Sequence, residues 1–147
     1  MAPTSQAAPV TLRLSRSFAA PREKVFRAWT DPEALKRWSA PGDHLVPLAE
    51  VDLTVGGRYR IHIQAPDGTL HRVTGVYRVV DPPQQLVYTW IWETSPTVGE
   101  TLVTVEFHDR GGRTEITLTH ERLPDEQAQG QHEQGWTGCL DKLARIL

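Results

Sequence analysis

Two periods divide this chain. Through most of the region before Pro124, apolar residues recur at every second position, and after it they recur at every third or fourth. The first period marks strands with one buried face, and the second marks an amphipathic helix. Val10 to Phe18 sets Val10, Leu12 and Leu14 against Thr11, Arg13 and Ser15, which predicts a half-buried first strand. Ala19-Ala20-Pro21 breaks it. A helix is predicted over Arg22 to Thr30, with Val25, Phe26, Ala28 and Trp29 apolar and Pro21 at its opening, where proline costs little. Asp31-Pro32 punctuates the chain. Asp31 is the expected N-cap of a short second helix over Glu33 to Trp38, followed by a loop over Ser39 to Asp43.

Strands follow. Leu48 to Val55 leads to a Gly56-Gly57 turn, and Arg58 to Gln64 places Tyr59, Ile61 and Ile63 inward with Arg58, Arg60 and His62 outward. Asp67-Gly68 is a strong hairpin signal, and Leu70 to Val80 is the returning strand. Asp81-Pro82-Pro83 ends it, since proline cannot donate to a ladder. Gln85 to Glu93 sets Leu86, Tyr88, Trp90 and Trp92 on one face, and Thr94 to Gly99 is a loop. Thr101 to Asp109 turns Val103, Val105 and Phe107 inward. After Gly111-Gly112, Thr114 to His120 aligns Ile116, Leu118 and His120.

The last segment, Pro124 to Leu147, reads as one long helix. Trp136, Leu140, Leu143 and Leu147 form its apolar face, which Cys139 and Ile146 widen. Asp125 and Glu126 suit its N-terminus, and Lys142 and Arg145 its C-terminal end. Gly130, Gly135 and Gly138 each cost such a helix about 1 kcal/mol against alanine. They point to close packing on the sheet or to local give near a cavity entrance. The order is strand, helix pair, six strands, long helix. That order predicts an α+β fold: a curved antiparallel sheet wrapped around the C-terminal helix, with any cavity between them.

Composition narrows the function. A 147-residue chain fits one domain, expected over 10–147, and buries about 68–70% of its unfolded surface. Charged residues make up 23% and the net charge is −2, with no basic stripe, which argues against a nucleic-acid binder. The lone Cys139 excludes an internal disulfide, fits a reducing cytoplasm and reads as a buried, inert thiol. No segment has the apolar length of a membrane span. Met1 to Pro9 lacks the basic and apolar regions of a secretory signal and reads as a disordered tail.

The run from Phe18 to Pro32 (FAAPREKVFRAWTDP) carries a family resemblance. Four later pieces continue it: Arg37-Trp38 with Pro41; Gly56-Gly57-Arg58-Tyr59; Pro82-Pro83 leading to Leu86-Val87-Tyr88-Thr89-Trp90; and Leu118-Thr119-His120-Glu121 followed by Gly135-Trp136 and Leu140. From about Leu12 to Leu147 the chain resembles the START-like (SRPBCC, helix-grip) superfamily. Within it the likeness is to small proteins of the heat-shock-protein-90 ATPase activator-like family. The resemblance implies a deep cavity between sheet and long helix that holds lipids, polyketides or other apolar molecules. It implies no shared reaction, because the matching residues are fold signatures.

Candidate binding residues follow from the inward faces and this resemblance: Trp38, Tyr59, Ile61, Tyr88, Trp90, Trp92, Val105, Phe107, His120, Trp136 and Leu140. Aromatic walls with a few polar tips suit a flat or extended apolar ligand. His120 has two readings. It is an acid or base, with Tyr59 or Tyr88 orienting a carbonyl, or it is a buried histidine satisfied within the fold, and the second is preferred because no partner completes a dyad. His62 and His71 flank the hairpin at a spacing that lets them approach across it. His44, His108 and His132 read as surface residues. No spacing resembles a zinc site, no serine-hydrolase elbow occurs, and neither glycine pair is a phosphate loop. No metal or cofactor is therefore expected.

The leading expectation is a non-enzymatic binder of a hydrophobic small molecule. The alternatives are a cyclase, aromatase or hydrolase-like enzyme using His120, and a co-chaperone stimulating a heat-shock ATPase. The co-chaperone ranks last, because the eukaryotic activator has a separate N-terminal domain and only nine residues precede the first strand here. Whether the chain forms a homodimer is left open.

Overall fold

The computed structural model describes residues 9–95 and 97–147, so the expected tail falls, except for Pro9, outside the described residues. The elements are β1 (Val10–Phe18), α1 (Arg22–Thr30), α2 (Pro32–Trp38), β2 (Leu45–Val51), β3 (Arg58–Gln64), β4 (Leu70–Asp81), β5 (Gln85–Trp92), β6 (Glu100–Asp109), β7 (Thr114–Leu123) and α3 (Glu126–Ile146). They build the expected α+β helix-grip architecture. The seven strands form one antiparallel sheet in the order β1-β7-β6-β5-β4-β3-β2. β2 to β7 are a simple meander. The helix pair α1–α2 carries the chain from β1 at one edge to β2 at the other.

Local chemistry explains the element ends. Asp31 caps α2, accepting the Glu33 N–H at 3.1 Å, and Asp125 caps α3, accepting the Ala128 N–H at 2.8 Å. Trp38 Nε1 donates to Ala28 O at 2.8 Å and ties α2 to α1. The second strand differs from its expected span of Leu48 to Val55, starting earlier and stopping at Val51. Asp52 to Gly57 instead folds into a tight loop closed by Thr54 N–H to Asp52 O and Gly57 N–H to Thr54 O, leaving Val55 exposed. β7 runs three residues past His120, through a left-handed Arg122 (φ 68°), with an irregular register against β1 between Val10 and Leu12.

One glycine shapes the sheet. Gly75 in β4 lies opposite Tyr59 in β3. The Tyr59 ring crosses over it, and the hydroxyl donates to Thr89 O on β5 at 2.6 Å. A Cβ at 75 would meet Thr89 O and come within 2.6 Å of the Tyr59 ring. Beside it the ladder changes partner: the Val76 N–H donates at 2.8 Å to the Thr89 hydroxyl. Gly75→Ala is therefore expected to destabilise the protein by about 3 kcal/mol or more through overpacking. Gly130→Ala meets nothing within 4 Å and should add about 0.5–1 kcal/mol. Urea midpoints for the two variants test both signs.

Candidate functional site

Helix α3 does not lie centrally on the sheet. It packs along β1, β7 and α2. Between its other flank and strands β3 to β5 lies a cavity of about 330 Å³. All five tryptophans of the chain line it: Trp29, Trp38, Trp90, Trp92 and Trp136. Tyr59, Tyr77 and Tyr88 form a cluster on the sheet side, with ring centroids 5.3–6.0 Å apart. Leu35, Ile61, Ile63 and Cys139 complete the buried wall. Partly exposed residues mark the mouth: Ser39, Pro41, His44 and His71 from the sheet edge and helix pair, Ser95 and Val98 from the β5–β6 loop, and His132 and Gly135 from α3. No Asp, Glu, Lys or Arg lines the cavity among the described residues.

The structure divides the expected binding residues. Trp38, Tyr59, Ile61, Tyr88, Trp90, Trp92 and Trp136 lie on the cavity wall; Val105, Phe107, His120 and Leu140 lie behind it in the core. Phe107 packs edge-on against Trp29 at 5.7 Å and tilted against Phe26 at 5.2 Å, so its inward face meets α1. Trp29, Tyr77, His71, His132 and Cys139 join the wall without having been expected there, and Gly135 sits at the entrance. His132 carried a usable signal, since it precedes Trp136 by four residues and so shares its helical face.

His120 is fully buried and has no free nitrogen. Trp136 Nε1 donates to its Nδ1 at 3.1 Å, and its Nε2 lies 2.7 Å from the Thr101 hydroxyl. That hydroxyl donates to Trp90 O at 2.8 Å. A hydroxyl has one hydrogen, so Nε2 must carry the imidazole proton and donate to Thr101. This is the satisfied-histidine reading, and it leaves His120 without a free nitrogen to act as a base. Burial, reinforced by the neighbouring His132, pushes the His120 pKa down to about 3.

His132 is not a simple surface residue. Its Nδ1 donates to Ala128 O at 2.7 Å, and its Nε2 accepts the Trp92 indole N–H at 3.0 Å. Its ring stands edge-on to His120 at 4.9 Å, and burial lowers its pKa. His62 and His71 do not approach each other. His62 pairs with Arg72 and His71 with Ile63, so they sit on opposite faces, and His71 packs edge-on to Trp92 at 6.4 Å. No group of three His, Cys, Asp or Glu residues has metal-binding geometry among the described residues. Burial pushes the Cys139 thiol up to about 12, keeping it protonated. No helix among the described residues is long and apolar enough to cross a membrane.

A curved antiparallel sheet gripping one long helix across an aromatic cavity defines the helix-grip, START-like class. Residues 19–147 match the family described as Activator of Hsp90 ATPase homolog 1-like protein, and the chain belongs to that family. A protein from Chromobacterium violaceum is similar at 29% identity and a TM-score of 0.87, over 92% of this chain and 95% of its own. The AHSA1 protein of Silicibacter pomeroyi is similar at 30% identity and a TM-score of 0.84, over 93% and 96%. A Rhizobium leguminosarum protein is similar at 30% identity and a TM-score of 0.80, over 93% of each chain. Comparison with curated proteins finds no match.

The histidine pair makes stability depend on pH. Both histidines are held below their ordinary pKa of 6.5, so on acidification the unfolded chain takes up protons first. The His120 contribution is complete above about pH 6.5 and is lost as pH falls from there toward about 3, by up to about 1.4 kcal/mol per pH unit, and His132 acts in the same direction. His120→Gln keeps a donor and an acceptor but removes the titration. It should flatten the acid limb of Tm against pH by about one proton, and an unchanged slope would exclude His120 as its source.

Proposed function

We propose that the protein is a non-enzymatic binder of an uncharged, apolar or aromatic small molecule, held in the cavity between the sheet and α3. The observation that carries this reading is the wall itself: every tryptophan of the chain faces a cavity of about 330 Å³ that no carboxylate, ammonium or guanidinium group lines among the described residues. That volume lies at the small end of ligand pockets and suits a molecule of two or three fused rings. Aromatic walls offer such a ligand large contact area at little entropic cost. The enzyme reading loses its histidine, because both nitrogens of His120 are engaged within the fold. The family's name refers to an ATPase activator, but no feature of the cavity speaks for a chaperone partner.

Native mass spectrometry of freshly purified protein tests for a resident ligand directly. Titration with the neutral probe N-phenyl-1-naphthylamine tests capacity: saturable one-to-one binding should raise probe emission and quench the tryptophans together. Gly135 lines the cavity, and a Cβ there meets nothing within 4 Å. Gly135→Leu should therefore fill the space and weaken probe binding at least tenfold with no loss of Tm. A bare native mass together with no saturable probe binding would refute the binder reading.

A further inference from the structure

The polar groups of the cavity are unevenly matched. Tyr59 uses its hydroxyl hydrogen on Thr89 O. Tyr88 does not: its oxygen accepts the Trp29 indole N–H at 3.1 Å, and its own hydrogen has no acceptor among the described residues. Trp90 is 8% exposed, and its Nε1–H is buried without a partner. The imidazole acceptors deepest in the wall are spent. His120 Nδ1 takes the Trp136 N–H, and His132 Nε2 takes that of Trp92. The deep wall thus offers unmatched donors, whereas its free acceptors, on Ser39, His44, His71 and Ser95, sit at the mouth.

We propose that the cavity selects a neutral aromatic ligand bearing a carbonyl-type acceptor, and that the Tyr88 hydroxyl donates to that oxygen. The inference rests on the binder reading and adds the ligand's chemistry to it. Buried donors are ordinarily paired, so a ligand acceptor completes what the fold leaves open. Trp29 strengthens the donor, because a hydroxyl that accepts one hydrogen bond is polarised to give another. Burial raises the pKa of all three tyrosines, so each remains a donor. A carboxylate ligand would find no buried cation to pair with, and an isolated ion is costly to desolvate. Tyr88 acts here as a specificity residue.

The test uses 9-fluorenone and fluorene, which share a ring skeleton and differ by C=O against CH₂. Equilibrium dialysis measures both affinities on the wild type and on Tyr88→Phe. The fluorenone-to-fluorene affinity ratio should fall about three- to tenfold in the variant, with fluorene itself little changed. An unchanged ratio overturns the role of Tyr88 while leaving the binder reading in place. Binding of neither compound by the wild type overturns the carbonyl proposal, and the native mass and the naphthylamine probe then decide the binder reading. Because Tyr88→Phe also strands the Trp29 N–H, a second measurement stands apart from folding. The infrared carbonyl stretch of fluorenone bound to the wild type should lie below its value in hexane. A stretch at the hexane value overturns the proposal.

Discussion

The structure turns on a chain of hydrogen bonds that crosses from α3 through three strands. Trp136 on α3 donates to His120 on β7, His120 to Thr101 on β6, and Thr101 to the carbonyl of Trp90 on β5. Each of these groups is buried, and each finds its partner. In a low-dielectric interior such a chain is strong when complete and expensive when broken, so it holds the helix at one height and one side. That lateral seat is reinforced by the Arg16–Asp141 ion pair at 2.7 Å between β1 and α3. The opposite flank of the helix is left facing β3 to β5 without filling the gap. The cavity is therefore a consequence of where the helix is pinned.

The same bonds fix the cavity's surface. Four of the five tryptophans have their indole N–H engaged: Trp29 to Tyr88, Trp38 to Ala28 O, Trp92 to His132 and Trp136 to His120. An indole held at its nitrogen cannot swing freely about its side-chain torsions. The aromatic walls are thus held by the fold itself, which would lower the ordering cost of binding a guest. The two histidines serve this purpose as neutral rings, each presenting one acceptor to a tryptophan and one donor to the fold.

Period-two alternation made the architecture legible, since β1, α1 and β3 begin and end where the pattern predicts. It also told which face of a strand looks inward. It could not tell how far along a curved sheet an inward residue meets the helix. Val105 and Phe107 have the right parity, yet β6 passes where α1 closes over the sheet, and Phe107 meets Phe26 and Trp29. Leu140, on α3, has the right helical face but packs into the core behind the wall. Trp29 and His71 join the wall because α1 folds under the cavity and β4 turns His71 inward opposite Ile63. Those placements depend on the lean of α3 and on the crossing of Tyr59 over Gly75, and neither is written in a local period.

The glycines of α3 bear on why the gap stays open. Gly138 lets the loop after α2 press against the helix; a Cβ there would stand 2.8 Å from Pro41 Cβ. Gly135, one turn earlier, has no such neighbour and borders empty space. A larger side chain at 135 would improve helix propensity by roughly 1 kcal/mol and also recover buried apolar contact. The unpartnered Trp90 N–H is a further penalty on the same wall. Packing for stability alone would remove both. Their coincidence on one cavity, beside a tyrosine hydroxyl with a hydrogen to give, is the arrangement expected where a guest molecule supplies the missing volume and the missing acceptor.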